Sequence, residues 1–264
     1  MSKGSTVSIK SKVFAAAAAL TLLGGVSAAG ALSASGATPS CGPNCVDLFN
    51  RDFGTHGQPG FVLDVFQQGQ RVGQPAILFR ESNSDPAQDV SAEFNGFTSD
   101  FYAAGLVSSA VALHYGCTGL INIPGGQIVC GPTAVNDPAF EAEYAPFGVD
   151  SGLCFGLAST AFQGEKVTLQ PCGETSRTVW ILDINDSPST ITHGYVPLIN
   201  GSDNNFSHPY VLTYPSGAYP TDKPRVSLTV TNLTGFSQGN VPLGTPIGNV
   251  NSNQLWGADF GILP

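Results

Sequence analysis

The 264-residue chain reads as an all-β protein. Two observations predict it. Gly (32 residues) and Pro (19) are abundant while charged residues make up only 11 %, which is the composition of many short strands joined by tight turns rather than of long helices. In addition, three separate stretches repeat one pattern: a short apolar strand, a turn rich in Gly, Gln, Ser or Pro, and a second strand whose apolar residues fall two apart. That period belongs to a sheet with one buried face.

The chain opens with Lys3, Lys10 and Lys12, then an apolar run over 13–26, then the small residues Ser27, Ala28 and Ala29. This is the layout of a secretory signal, and the run is shorter than the ~20 residues a spanning helix needs. Cleavage is expected between residues 28 and 37. Residues 1–40 are therefore expected to be a signal peptide and small-residue spacer, and 41–264 a single secreted, extracellular domain with no membrane attachment after cleavage. Its length of about 225 residues is enough for a sizeable core.

Removing the three leader lysines takes the net charge from −9 to −12. Nucleic acid and anionic membranes reward a basic face and are poor partners for such a surface. All six cysteines follow the leader, in keeping with an oxidising destination. Six cysteines allow fifteen pairings, and proximity suggests Cys41 with Cys45, Cys117 with Cys130, and Cys154 with Cys172. His56, His114, His193 and His208 are scattered singly, so neither a metal site nor a cofactor is expected.

The repeated segments run over 61–90, 153–180 and 210–228, the third closing later at Gln254, Leu255 and Trp256. Their second strands are read from the pairs Ala76 and Leu78, Val167 and Leu169, Val226 and Leu228. Each unit ends on a large or branched apolar residue, Val90, Trp180 or Trp256, preceded two positions earlier by Gln88, Thr178 or Gln254. The intervening stretch 101–116, with Val107, Val111, Leu113 and Tyr115, reads as a buried strand.

Three units with Gln-x-Trp-like endings resemble the ricin B-type β-trefoil lectins, and the alanine-rich leader resembles those of high-GC Gram-positive bacteria. The resemblance covers about half of the mature chain and implies a pseudo-threefold barrel, here with long insertions, in which the Trp enters a shared core and the Gln ties a turn. It also favours Cys154–Cys172 as an intra-repeat disulfide. In a sugar-binding unit of this family, a carboxylate ends the opening strand and an aromatic follows the second. The resemblance then implies Asp64 as carboxylate, Phe79 as stacking aromatic and Gln88 as the signature glutamine. The amide that normally precedes that glutamine is Ala87, for which Asn83 or Asp85 are the substitutes in the same turn. The matching positions hold Gly156 and Gln170 in the second unit, and Thr213 and Thr229 in the third, so one site is the most the pattern supports.

No Gly-x-Ser-x-Gly or His-Glu-x-x-His motif occurs. Glu141 and Glu143 lie two apart and are read as a solvated acidic strand edge rather than a hydrolytic pair. Asn200, Asn205 and Asn232 fit glycosylation sequons and are read as turn residues. The expected protein is non-catalytic, and binds carbohydrate or a cell-surface glycan. The rival expectation is a structural or interaction protein, or a protease inhibitor, that meets a protein partner through its insertions.

Overall fold

The computed structural model describes residues 46–51, 61–82, 84–116, 120–123, 126–129, 136–183, 195–215, 227–234 and 250–259. The leader, Cys41, Cys45, Asn83, Cys117 and Cys130 lie outside the described residues.

Each repeated unit consists of four strands. The first has β1 (Asp47–Asn50), β2 (Phe61–Val65), β3 (Ala76–Arg80) and β4 (Val90–Phe97). Between the first and second units stand two helices, α1 (Thr98–Ala103) and α2 (Ser109–Tyr115), and a hairpin of β5 (Leu120–Ile123) and β6 (Gly126–Val129). The second unit has β7 (Pro138–Tyr144), β8 (Leu153–Leu157), β9 (Val167–Pro171) and β10 (Val179–Leu182). The third has β11 (Leu198–Asn200), β12 (Tyr210–Thr213), β13 (Thr229–Asn232) and β14 (Trp256–Asp259). Two 3-10 turns follow strands directly, η1 (Phe66–Gln68) after β2 and η3 (Pro146–Gly148) after β7. The other three each deliver a closing strand: η2 (Pro86–Gln88), η4 (Ser176–Thr178) and η5 (Ser252–Gln254).

The first and last strands of the units make a ring. Neighbouring units join antiparallel through β4 with β7, β10 with β11, and β14 with β1. The registers match, with Val90 opposite Tyr144, Trp180 opposite Asn200 and Trp256 opposite Asn50. Within units, β7 pairs with β10, the Val46 amide donates to the Val90 carbonyl at 2.8 Å, and Val196 bridges Trp256. Six strands thus close on themselves, which removes the free sheet edges that invite association. The three middle hairpins meet one another through bridges Pro75 to Thr168, Ile77 to Ser227 and Lys166 to Thr229. The fold is a β-trefoil.

The core repeats with the fold. Leu63, Phe155 and Leu212 occupy one layer, Leu78, Leu169 and Val230 another, and Val90, Trp180 and Trp256 the position that opens each closing strand, all in one buried cluster. Both indoles satisfy their N–H on the opening hairpin strand of their own unit, Trp180 on the Phe155 carbonyl (2.9 Å) and Trp256 on the Leu212 carbonyl (2.8 Å). Val90 keeps the apolar contact and forgoes that bond.

Two sequence readings are corrected here. In the third unit the second strand is β13, with Thr213 opposite Thr229 and Val211 opposite Thr231. Its core residues are Leu228 and Val230 instead of Val226 and Leu228, and Val226 lies outside the described residues. A shift of two leaves every side chain on the same face, so alternation alone does not detect it. By this register Thr231, rather than Thr229, stands where Phe79 stands in the first unit.

The second correction concerns 101–116, which forms α1 and α2 instead of a strand. Ser108 caps α2, its Oγ accepting the Val111 amide at 3.2 Å, and Asp100 returns a carboxylate to the Phe97 amide at 2.8 Å. Val107, Val111 and Tyr115 recur every four residues and pack with Phe101 on Ile181, Ile199 and Val211 of the barrel's outer side. The helices cover an apolar outer face of β10, β11 and β12, and this is why those strands are apolar on both sides.

Each unit is closed by a side chain that ties its 3-10 turn to the end of its hairpin. Gln88 Nε2 donates to the Arg80 carbonyl (2.8 Å) and its Oε1 accepts the Ser82 amide (2.8 Å). Gln254 does the same with the Asn232 carbonyl (2.8 Å) and the Thr234 amide (2.8 Å). The second unit has Thr178 at that place, and Glu141 of β7 supplies the acceptor: its Oε1 takes the Gly173 amide at 3.0 Å and the Thr178 hydroxyl. Glu141 and Glu143 are buried, not a solvated edge, and Glu143 accepts the Gly152 amide. Asn200, read as a turn residue, is likewise buried at the end of β11, donating to the Arg177 carbonyl at 2.9 Å.

Cys154 and Cys172 form the favoured disulfide, with Cα atoms 5.0 Å apart and a sequence separation of 18. Replacing both by alanine is expected to cost about 3 kcal/mol of unfolding free energy in urea denaturation. Glu141→Ala removes the acceptor of the Gly173 amide and one of the two acceptors of the Thr178 hydroxyl, the other being the Thr175 carbonyl, and is expected to cost roughly 1–3 kcal/mol in the same measurement. Adding Thr178→Gln, which restores the tie used by the other two units, is expected to return part of that loss; no recovery would show that Glu141 does not stand in for the glutamine.

Candidate functional site

The first unit is the one whose hairpin keeps a carboxylate. Asp64 is the fourth residue of β2, opposite Ile77 of β3, while Phe79 stands opposite Val62. Residues opposite one another share a face, so Asp64 and Phe79 lie on the side of the hairpin turned away from Leu63, Val65, Ala76 and Leu78 of the core. Asp64 is only 1 % exposed. Its Oδ2 accepts Gln88 Nε2 at 3.3 Å, so the tying glutamine also holds this carboxylate. Phe79 is half-buried.

Above this pair lies a small roof. Asp85 caps η2, its Oδ1 accepting the Ala87 amide at 3.0 Å, and the same oxygen accepts Gln68 Nε2 from η1 at 3.1 Å. The structure therefore brings Asp64 and Gln88 together, sets Phe79 on their face, and uses Asp85 as a turn cap.

The other units have closed the corresponding place. A Cβ at Gly156 would lie 2.7 Å from the Arg177 carbonyl oxygen and 2.8 Å from Thr178 Cγ2, so η4 sits directly on the position. In the third unit Thr213 Oγ1 and Thr231 Oγ1 bond each other at 2.8 Å, with Gln254 Nε2 against Thr231 at 2.9 Å.

Sequence reasoning missed two neighbours of the first-unit site. Tyr144, at the end of β7, is buried, and its phenol is pushed up to about 12, first by burial and then by the carboxylates of Asp64, Asp89 and Asp85. It stands opposite Val90 across the unit boundary, a juxtaposition that exists only once the barrel closes.

The other neighbour is η3. Its Phe147 has φ of +57° and is 75 % exposed, and Val149 beyond it is 66 % exposed. This turn is anchored on both sides: Asp89 Oδ2 accepts the Phe147 amide at 2.7 Å, and Ser151 Oγ donates to the Tyr144 carbonyl. The η2 turn touches both η1 and η3. Among the described residues, the non-glycine residues with left-handed φ are Gln67, Gln68 and Phe147. They sit on η1 and η3, the two turns that contact η2, and such strain persists where the surroundings enforce it, often at functional sites.

No family model and no curated protein matches the chain. Among solved structures, it is similar to a designed threefold-symmetric protein, ThreeFoil, at 14 % identity and a TM-score of 0.44, over 81 % of this chain and 97 % of that one. It is also similar to the agglutinin from Abrus precatorius at 13 % identity and a TM-score of 0.27, over 81 % of this chain and 95 % of that one. The trefoil assignment stands on the threefold strand pairing described above, not on these likenesses. What the chain has is the β-trefoil fold.

Because the folded state holds the Tyr144 phenol neutral up to about 12 while an exposed tyrosine ionises near 10, the unfolded state loses this proton first. The stabilisation is whole below pH ~10 and is lost as pH rises from there towards ~12. Thermal midpoints measured across that window are expected to fall more steeply for the wild type than for Tyr144→Phe; equal slopes would remove Tyr144 as the source.

Proposed function

We propose that the chain is a secreted, non-catalytic carbohydrate-binding protein related to the ricin B-type lectins, with a single site on the first unit. The observation that carries the proposal is the Asp64–Gln88 pair. The first unit keeps a carboxylate held by an amide on the face it shares with Phe79, where the other two units are filled by backbone or by a pair of threonines. A neutral polyol is recognised by a few directed hydrogen bonds beside an apolar platform, and the turns around this hairpin carry polar and aromatic groups of both kinds. Secretion rests on the layout of the leader, and the absence of catalysis on the absence of a nucleophile or hydrolytic motif in the sequence.

A second reading is favoured by the burial of Asp64 and by the Gln68–Asp85 contact above it. On that reading the trefoil is a scaffold and the insertions meet a protein partner, in a structural role or as a protease inhibitor. A glycan array probed with the oxidised mature protein and with Asp64→Ala decides between them, with the thermal midpoint of each recorded. Glycan binding that falls at least tenfold in a folded Asp64→Ala protein is the expected result. A folded wild type that binds no glycan points to the scaffold reading.

A further inference from the structure

We propose that the aromatic platform of the first-unit site is Phe147, delivered across the unit boundary from the second unit, rather than Phe79. This inference rests on the carbohydrate reading above. Phe79 is half-buried on the hairpin face, and the Asp64 carboxylate beneath the roof is buried and committed to Gln88. Asp64 is thus withdrawn from the surface, and Phe79 is less exposed than Phe147. The outer surface of the same site is made by η1, η2 and η3, which are in contact in series. Its exposed side chains are the amides of Gln67 and Gln68 and the ring of Phe147, with the Asp85 carboxylate half-buried between them.

That set matches a hydroxyl-bearing ring. Amides both donate and accept, a carboxylate accepts, and an exposed aromatic covers a C–H face. Phe147 is also held out at a double cost. The residue is 75 % exposed, and its backbone is left-handed without being glycine, a conformation disfavoured for a bulky residue. The turn does not relax because Asp89 fixes the Phe147 amide and Ser151 ties the turn's far end to the Tyr144 carbonyl. Asp89 adjoins Gln88, so the same segment that closes the first unit also places the platform of the second beside it. Asp64, Gln88 and Asp89 are positioning residues in this arrangement, and the groups assigned to touch the glycan are Phe147, Gln67 and Gln68.

The test uses the oxidised mature protein and its Phe147→Ala, Phe147→Trp, Phe147→Gly and Phe79→Ala variants. The probes are a glycan array and depletion isotherms on chitin, xylan, mannan and peptidoglycan. On whichever probe the wild type binds, Phe147→Ala is expected to bind at least tenfold more weakly, while Phe147→Trp and Phe79→Ala stay within threefold. Phe147→Gly is expected to lose binding while its thermal midpoint rises, because glycine accepts the left-handed backbone; a purely structural role for Phe147 does not produce that opposition. If the wild type binds a glycan and Phe147→Ala and Phe147→Gly bind it equally well, this inference falls and the carbohydrate reading stands. If the folded wild type binds none of the probes, both fall.

Discussion

Everything in this trefoil depends on the tie between a 3-10 turn and the end of a hairpin. A closing strand enters the barrel immediately after its turn, so the turn's position sets the register in which units join. An amide is suited to the task because it donates and accepts at once, pairing a strand-end carbonyl with an amide N–H two residues on, as Gln88 and Gln254 do. These bonds are partly buried, and a backbone group left without its partner in such a place costs more the less water reaches it. The second unit reaches the same end with different chemistry. A carboxylate from a barrel strand, Glu141, accepts the backbone amide and a threonine hydroxyl, and the disulfide between Cys154 and Cys172 braces the same hairpin.

Degeneracy of the repeat is therefore tolerated where another group meets the same requirement. Val90 replaces a tryptophan and loses an N–H donor together with the need to satisfy it, so nothing polar is stranded. Thr178 replaces a glutamine, and a neighbour takes over the acceptor. The helical insertion works on a different part of the molecule. It hides an outer barrel face that the three-unit pattern would leave wet, which gives the protein a second core beside the axial one.

The candidate site follows from the same accounting. In the first unit the tying glutamine has one more partner, Asp64, and so fold closure and the retained carboxylate share an amide. The site's outer wall belongs to a different unit, because β4 and β7 are neighbours in the ring and η3 leaves β7 at that junction. A surface assembled from two units lies at the boundary that threefold symmetry creates and sequence divergence then makes unique.

Much of this was legible in the chain. Alternation and the Gln-x-Trp-like endings placed two hairpins and the closing residues of all three units, because these depend on local period and on a motif that carries its own hydrogen bonds; the disulfide between Cys154 and Cys172 came from proximity and the family resemblance. Asp64, Phe79 and Gln88 were singled out by the family resemblance, and the structure puts the first two on one hairpin face with Gln88 in the turn that follows. The third unit's strand slipped by two because a period of two is blind to such a shift. The helices were read as strand because Val107, Val111 and Tyr115 satisfy both periods, and the Ser108 cap that separates them is a single residue. The burial of Glu141, the gathering of Asp64, Asp85 and Asp89 around Tyr144, and the adjacency of Phe147 to η2 were decided by the tertiary structure alone. Each joins segments distant in sequence, and only the folded barrel determines which residues meet there.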